Sequence, residues 1–218
     1  QNCPWPHIKK LMEHIFGEQV ELGYDYMQLL YRNPMQILPI LCLVSQERGT
    51  GKTTFLDLIR EIYGNNAIIV GNSEITSEFN ALVSGKLVVG VDETSLEDNT
   101  KVTERLKMMS TAKKVPMQRK GKDHEEIENF TKYVLCSNNE TRFIYTQEDE
   151  IRFWVRKVEP IPKEENIPDI LPVLSQEIPG FLSFLLSRQM HIREAQSRMW
   201  FKPEDIERIT NPGPDEEI

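Results

Sequence analysis

The chain has 218 residues, 39% of them hydrophobic and 28% charged, with a formal net charge of −8. That is enough apolar material for one large domain, and no apolar run nears the ~20 residues a membrane helix needs. The acidic balance excludes a surface that coats nucleic acid uniformly, although residues 101–122 hold eight Lys/Arg against Glu104 alone. Three cysteines form no C-x-x-C pair; Cys42 and Cys136 lie in apolar runs and read as buried thiols of a reducing, cytoplasmic compartment. His7, His14, His124 and His191 lack zinc-ligand spacing. A start at Gln1, with no initiator Met and no signal-like segment, suggests a piece excised from a longer chain.

Apolar residues spaced i, i+3/i+4 over Trp5–Phe16 and Tyr24–Tyr31 predict two N-terminal helices, the second ended by Asn33-Pro34. Ile40–Ser45 reads as a buried strand, Lys52–Tyr63 as a helix stopped by Gly64-Asn65-Asn66, and Ala67–Val70 as a short strand. A helix over Ser73–Val83, a strand over Lys86–Val91 and a helix over Thr100–Ser110 follow. Val115–Phe130 alternates around a Gly121 tip and predicts a hairpin. Lys132–Ser137 and Arg152–Val158 complete the strands, and Leu171–Met190 is helical. Strands alternating with helices imply an α/β sandwich with a mainly parallel central sheet, whose ligand sits beyond the carboxyl ends of the strands.

The most informative stretch is Gln46-Glu-Arg-Gly-Thr-Gly-Lys-Thr-Thr54, between an apolar strand and an amphipathic helix. Gly49, Thr50, Gly51, Lys52, Thr53 and Thr54 spell the back half of a phosphate-binding P-loop. Amides at such a turn converge on one point that the helix dipole makes favourable for anions. Lys52 would reach the β- and γ-phosphates of a nucleotide such as ATP, and Thr53 would sit on its Mg²⁺. Gln46 stands where the pattern asks for glycine, so the loop should leave its strand differently. After Leu87–Val91 come Asp92, placed to hold the Mg²⁺ shell, and Glu93, placed to deprotonate an attacking water. After Tyr133–Cys136 comes Asn138, an amide able to bond both a γ-phosphate and that water. Arg152, at the start of the last strand, suits a guanidinium that neutralises a transferring phosphoryl group, often on a neighbouring subunit; Arg142 and Arg156 compete for that role.

The order of P-loop, Asp92-Glu93, basic hairpin, Asn138 and Arg152 resembles the superfamily 3 helicases, a branch of the AAA+ ATPases. It looks most like the helicase portion of phage and mobile-element primase-helicase or primase-polymerase proteins, over roughly residues 40–158. The resemblance implies an AAA+-like three-layer core over 36–160 that carries a basic hairpin at 112–130. An N-terminal helical segment (1–35), a C-terminal helical segment (161–210) and a loose tail (211–218) would flank it. It also implies a homo-hexameric ring, an Arg reaching the next subunit's nucleotide, and a fused primase or polymerase region outside this chain. Single-stranded or forked DNA would touch the hairpin at Arg119, Lys120 and Lys122. The other meaning of that hairpin is a self-neutralised stem, with Glu125, Glu126 and Glu128 opposite Lys113, Lys114 and Arg119. Two rival functions remain: a P-loop phosphotransferase on a small substrate, and a ring scaffold that binds nucleotide without turnover.

Overall fold

The computed structural model describes residues 3–71, 74, 85–93, 100–117, 125–139, 143 and 150–190. The helix expected over Ser73–Val83 apart from Glu74, the hairpin tip with Arg119, Lys120 and Lys122, Arg142, and the tail all lie outside them.

Chain order runs α1 (Pro6–Phe16), α2 (Val20–Arg32), β1 (Ile40–Val44), α3 (Lys52–Tyr63), β2 (Ala67–Val70), β3 (Val88–Val91) and α4 (Thr100–Thr111). It continues through β4 (Lys114–Met117), β5 (Glu125–Glu128), β6 (Lys132–Ser137), β7 (Phe153–Lys157) and α5 (Leu171–Ser187). Among the described residues five strands form one sheet in the order β2-β3-β6-β1-β7, and every neighbouring pair is parallel. The apolar runs mark these strands because a parallel sheet is covered on both faces, so period-two alternation vanishes. β1 is buried at all five positions.

Side-chain parity divides the core into two layers. Leu41, Leu43, Val134, Cys136 and Trp154 face a layer built from α1, α2, α3 and α5. Ile40, Cys42, Val44, Leu135 and Val155 face the opposite layer, where α4 contributes Val102, Leu106 and Met109. Cys42 and Cys136 are buried free thiols, as their apolar surroundings predict, and they belong to different layers. Trp154 ties β7 to the helical layer: it stacks on Phe16 at 5.1 Å, and its indole N–H donates to Gln19 Oε1 at 2.8 Å. Truncating it to Ala would cost about 3–5 kcal/mol.

The start of α1 is closed from within the fold. Pro6 supplies no N–H, and the amides of His7 and Ile8 both donate to Glu177 Oε2 of α5 at 2.9 Å. β4 and β5 pair antiparallel, with Lys114 opposite Glu128 and Pro116 opposite Glu126. Asn129 anchors their base by donating to the carbonyls of Met109 and Ala112 at the end of α4.

Candidate functional site

The carboxyl ends of β1, β6 and β3 lie side by side, and Ser45, Lys52, Thr53, Asp92 and Asn138 gather there. The Ser45 amide continues the β1–β6 ladder to the Ser137 carbonyl at 3.1 Å, and the Asp92 amide does the same from β3 to Val70 on β2. From Ser45 the chain turns through residues 46–51 into α3. Gln46 has ordinary backbone, so the turn is made later, at Gly49 (φ +72°) and Gly51 (φ +83°). That answers the departure noted at Gln46: the left-handed step is displaced within the loop. Gly51 is required twice over, because a Cβ there would also meet Ile161 Cδ1 at 3.2 Å. Among the described residues no side chain caps α3, in contrast to the carboxylate that closes α1.

Lys52 is buried, with its ammonium donating to Ser45 Oγ, to Thr50 Oγ1 at 2.9 Å and to Asn138 Oδ1 at 3.0 Å. Burial pulls its pKa down, and the Asp92 carboxylate acts in the other direction. Thr53 donates its hydroxyl to Asp92 Oδ2 at 3.1 Å. Four residues separated by up to 86 positions therefore meet: Lys52 and Thr53 at the head of α3, Asp92 after β3, and Asn138 after β6.

Glu93 follows on an exposed turn with φ +56°, a left-handed conformation that costs a non-glycine residue roughly 1–2 kcal/mol. Its amide donates to Asp92 Oδ1 at 3.1 Å, which holds the turn in place. Strain of this kind at a candidate acid–base residue fits a geometry kept for chemistry.

Arg152 is not brought to this cluster. It precedes β7 at the amino end of the sheet, where its carbonyl accepts the Ile40 amide, and it forms a two-bond pair with Glu150 at 2.6 Å. Its competitor Arg156 is buried in β7 and bonded to Glu18 at 2.9 Å.

Two residues that sequence spacing did not single out join the site. Ser45 touches Lys52 and closes the turn by donating to the Glu47 carbonyl at 2.7 Å. His14 of α1 places Nε2 3.2 Å from the Thr50 carbonyl. The only signal for Ser45 was a hydroxyl ending an apolar strand; His14 offered none.

The donor set suits a magnesium–triphosphate. A hydroxyl and a carboxylate at 3.1 Å can share a hard cation's hydrated shell, and an ammonium beside uncapped helix amides suits the anion. Among the described residues no group of three or more His, Cys, Asp or Glu could hold a metal by itself, so phosphate and water oxygens would complete such a shell. None of the described helices is long and apolar enough to cross a membrane.

Residues 43–156, which include the loop, both acids and Asn138, match DUF5906, a family of unknown function. Over 167 residues the chain is 30% identical to a DNA primase-polymerase of Nitratiruptor phage NrS-1, covering 73% of this chain and 23% of that protein. Among solved structures, the apo C-terminal region of NrS-1 superposes with a TM-score of 0.75 at 21% identity, over 84% of this chain and 46% of that one. A further structure of that region gives 0.70 at 22% identity, over 84% and 45%. The α/β fold with its parallel sheet flanked by helices is thus shared with the NrS-1 region. The chain spans under a quarter of the curated relative and under half of those structures.

Proposed function

This chain belongs to the DUF5906 family, and we propose that it is a P-loop ATPase of the superfamily 3 helicase type, a DNA translocase serving phage or mobile-element replication in the host cytoplasm. The observation that carries the reading is the meeting of Lys52, Asn138, Thr53 and Asp92 at the uncapped start of α3.

Sheet order supports it. Because β6 lies between β1 and β3, Asn138 stands between the loop lysine and the acidic pair, where one amide can bond a terminal phosphate and a water beside it. Lys52, pre-oriented by Ser45, Thr50 and Asn138, would exchange hydroxyl and amide acceptors for phosphate oxygens. Thr53 and Asp92 would hold Mg²⁺ between them. The bound magnesium nucleotide supplies the phosphoanhydride whose cleavage drives movement. Glu93, one residue beyond Asp92 and exposed, would take the proton of the attacking water.

Arg152 lies about five residues of strand, roughly 17 Å, from its own loop. Any phosphate it touched would belong to another subunit, which fits a ring, and a hexamer is the expected one. The hairpin stem anchored on α4 would carry Arg119, Lys120 and Lys122 to DNA phosphates. The primase-polymerase named for the NrS-1 relative suggests that the rest of a longer chain makes primers or DNA.

The test is ATPase rate against single-stranded DNA concentration for the assembled protein and its Lys120→Ala/Lys122→Ala variant. DNA should stimulate the parent, and the variant should keep its basal rate but lose the stimulation. An assembled oligomer whose hydrolysis ignores DNA would contradict the translocase reading and favour a phosphotransferase on a small substrate.

A further inference from the structure

A groove lies at the root of the β4–β5 hairpin, away from the loop. Asn33, Met35 and Gln36 of the α2–β1 connection line it together with Ala112 and Lys113 just after α4 and Glu128 at the end of β5, around a volume of about 390 Å³. One wall is held firmly. The buried Lys132 ammonium donates to the Pro34 carbonyl and to the Phe130 carbonyl at 2.7 Å, and the Gln36 backbone amide donates to the Asn33 carbonyl at 3.0 Å. The other wall is the hairpin stem, whose base Asn129 ties to the end of α4. Gln36 is satisfied on one side only. It is 7% exposed and its Oε1 accepts from Asn33 Nδ2 at 3.2 Å, but its Nε2 meets no acceptor among the described residues. A buried amide donor without a partner is costly and rare, so a group from outside the chain is the natural complement to this one.

Chemistry restricts the occupant. A bare phosphate would meet the Glu128 carboxylate and a bare cation would meet Lys113, both exposed at the groove. An apolar helix would cover the amides of Asn33 and Gln36 without bonding them. A nucleobase fits on every count. Each of the four bases carries an acceptor on its edge for the Gln36 amide, and its face suits the thioether of Met35, which is 52% exposed.

We propose that this groove holds one unpaired base of the single strand whose phosphates meet the hairpin tip, with Gln36 Nε2 donating to the base edge and Met35 covering its face. The inference rests on the hairpin's binding DNA. The described β4 strand is four residues long, roughly 10 Å, so one short strand of DNA spans tip and root. The hairpin then grips by charge at its tip and by a base at its root. Because an amide finds an acceptor on any base, the grip is indifferent to sequence, as a translocase requires.

Fluorescence anisotropy of the assembled protein with a labelled thymidylate dodecamer, and with an abasic dodecamer of the same phosphodiester backbone, tests it. The parent should bind the base-bearing strand at least about tenfold more tightly. Gln36→Met, which keeps the bulk and removes the amide, should bring the two affinities together, leave that for the abasic strand unchanged, and melt no lower than the parent. Met35→Ala, at an exposed position that folding does not depend on, should also shrink the preference. Equal affinity of the parent for both strands would overturn the base site and leave the phosphate contact at the tip standing. Binding of neither would overturn the hairpin reading and this inference together. A preference that survives both substitutions would put the base elsewhere and overturn the assignment. A parent without base preference whose sedimentation shifts on Gln36→Met would make the groove an interface between copies, which also overturns it.

Discussion

Glu93 gives the sharpest separation of strain from chemistry. Its φ of +56° costs roughly 1–2 kcal/mol, a cost glycine avoids. Glycine in turn costs about 0.5–1 kcal/mol through the greater freedom of the unfolded chain. Glu93→Gly should therefore gain about 0.5–1 kcal/mol, equivalent to about 2–4 °C in Tm for a gain of 1 kcal/mol in a chain this long. Glu93→Gln keeps the strained backbone and the shape of the side chain while removing its basicity. Its stability should stay within about 0.5 kcal/mol of the parent. Both variants should lose about 10²- to 10⁴-fold in ATP hydrolysis, the usual worth of a positioned general base. The paired assay is urea denaturation and steady-state hydrolysis on the same preparations. A Glu93→Gly protein no more stable than Glu93→Gln would refute the strain argument. A Glu93→Gln protein hydrolysing at the parent rate would refute the role of the carboxylate.

Gly90 of β3 lets α3 approach the sheet closely, since a Cβ there would lie 2.9 Å from Leu56 Cδ2 and 3.4 Å from Ile69 Cγ1. Gly90→Val should cost about 1–3 kcal/mol in denaturation and weaken nucleotide binding by parting Thr53 from Asp92; unchanged affinity would show that the helix position is not critical. Lys132, buried with its ammonium on the Pro34 and Phe130 carbonyls, has its pKa pulled by burial from 10.5 to about 8, equivalent to about 3 kcal/mol. The folded value lies below the unfolded one, so the folded state binds fewer protons between those pH values. Stability should then rise as pH climbs from about 8 towards 10.5, with the full penalty present below 8. Denaturation across that range should show the rise in the parent and lose it in Lys132→Met; a flat parent curve would contradict the assignment.

The sheet strands were legible because each is an apolar run bounded by polar or turn residues, and the strand spans differ from the structure by two residues at most. Helix starts were legible where Pro6 or Gly51 marks them; α2 begins four residues before its expected start, at Val20, because a 3₁₀ turn over Gly17–Gln19 leads into it. The placement of the candidate site's residues was legible where a polar residue directly follows a strand, as at Asp92 and Asn138, and through the Gly-rich loop at Lys52. Strand order was not, since nothing in the chain says that β6 inserts between β1 and β3. That insertion is what brings Asn138 to Lys52. Contacts across layers were equally hidden: His14 reaches the loop from a helix whose spacing reports only its buried face. Arg152, at the start of a parallel strand, stands at the end of the sheet away from the candidate site, so the role expected of it would be played on a neighbouring subunit.

The most direct test is calorimetric binding of a slowly hydrolysed magnesium–ATP analogue to the parent chain and to Lys52→Ala, each checked for folding by its melting transition. Loss of an ammonium bonded to phosphate should cost about 2–3 kcal/mol, or roughly 30- to 150-fold in Kd. Micromolar binding by the parent that weakens by this factor is the predicted result. A folded parent that takes up no magnesium nucleotide, or a Lys52→Ala protein that binds it equally well, would contradict the account.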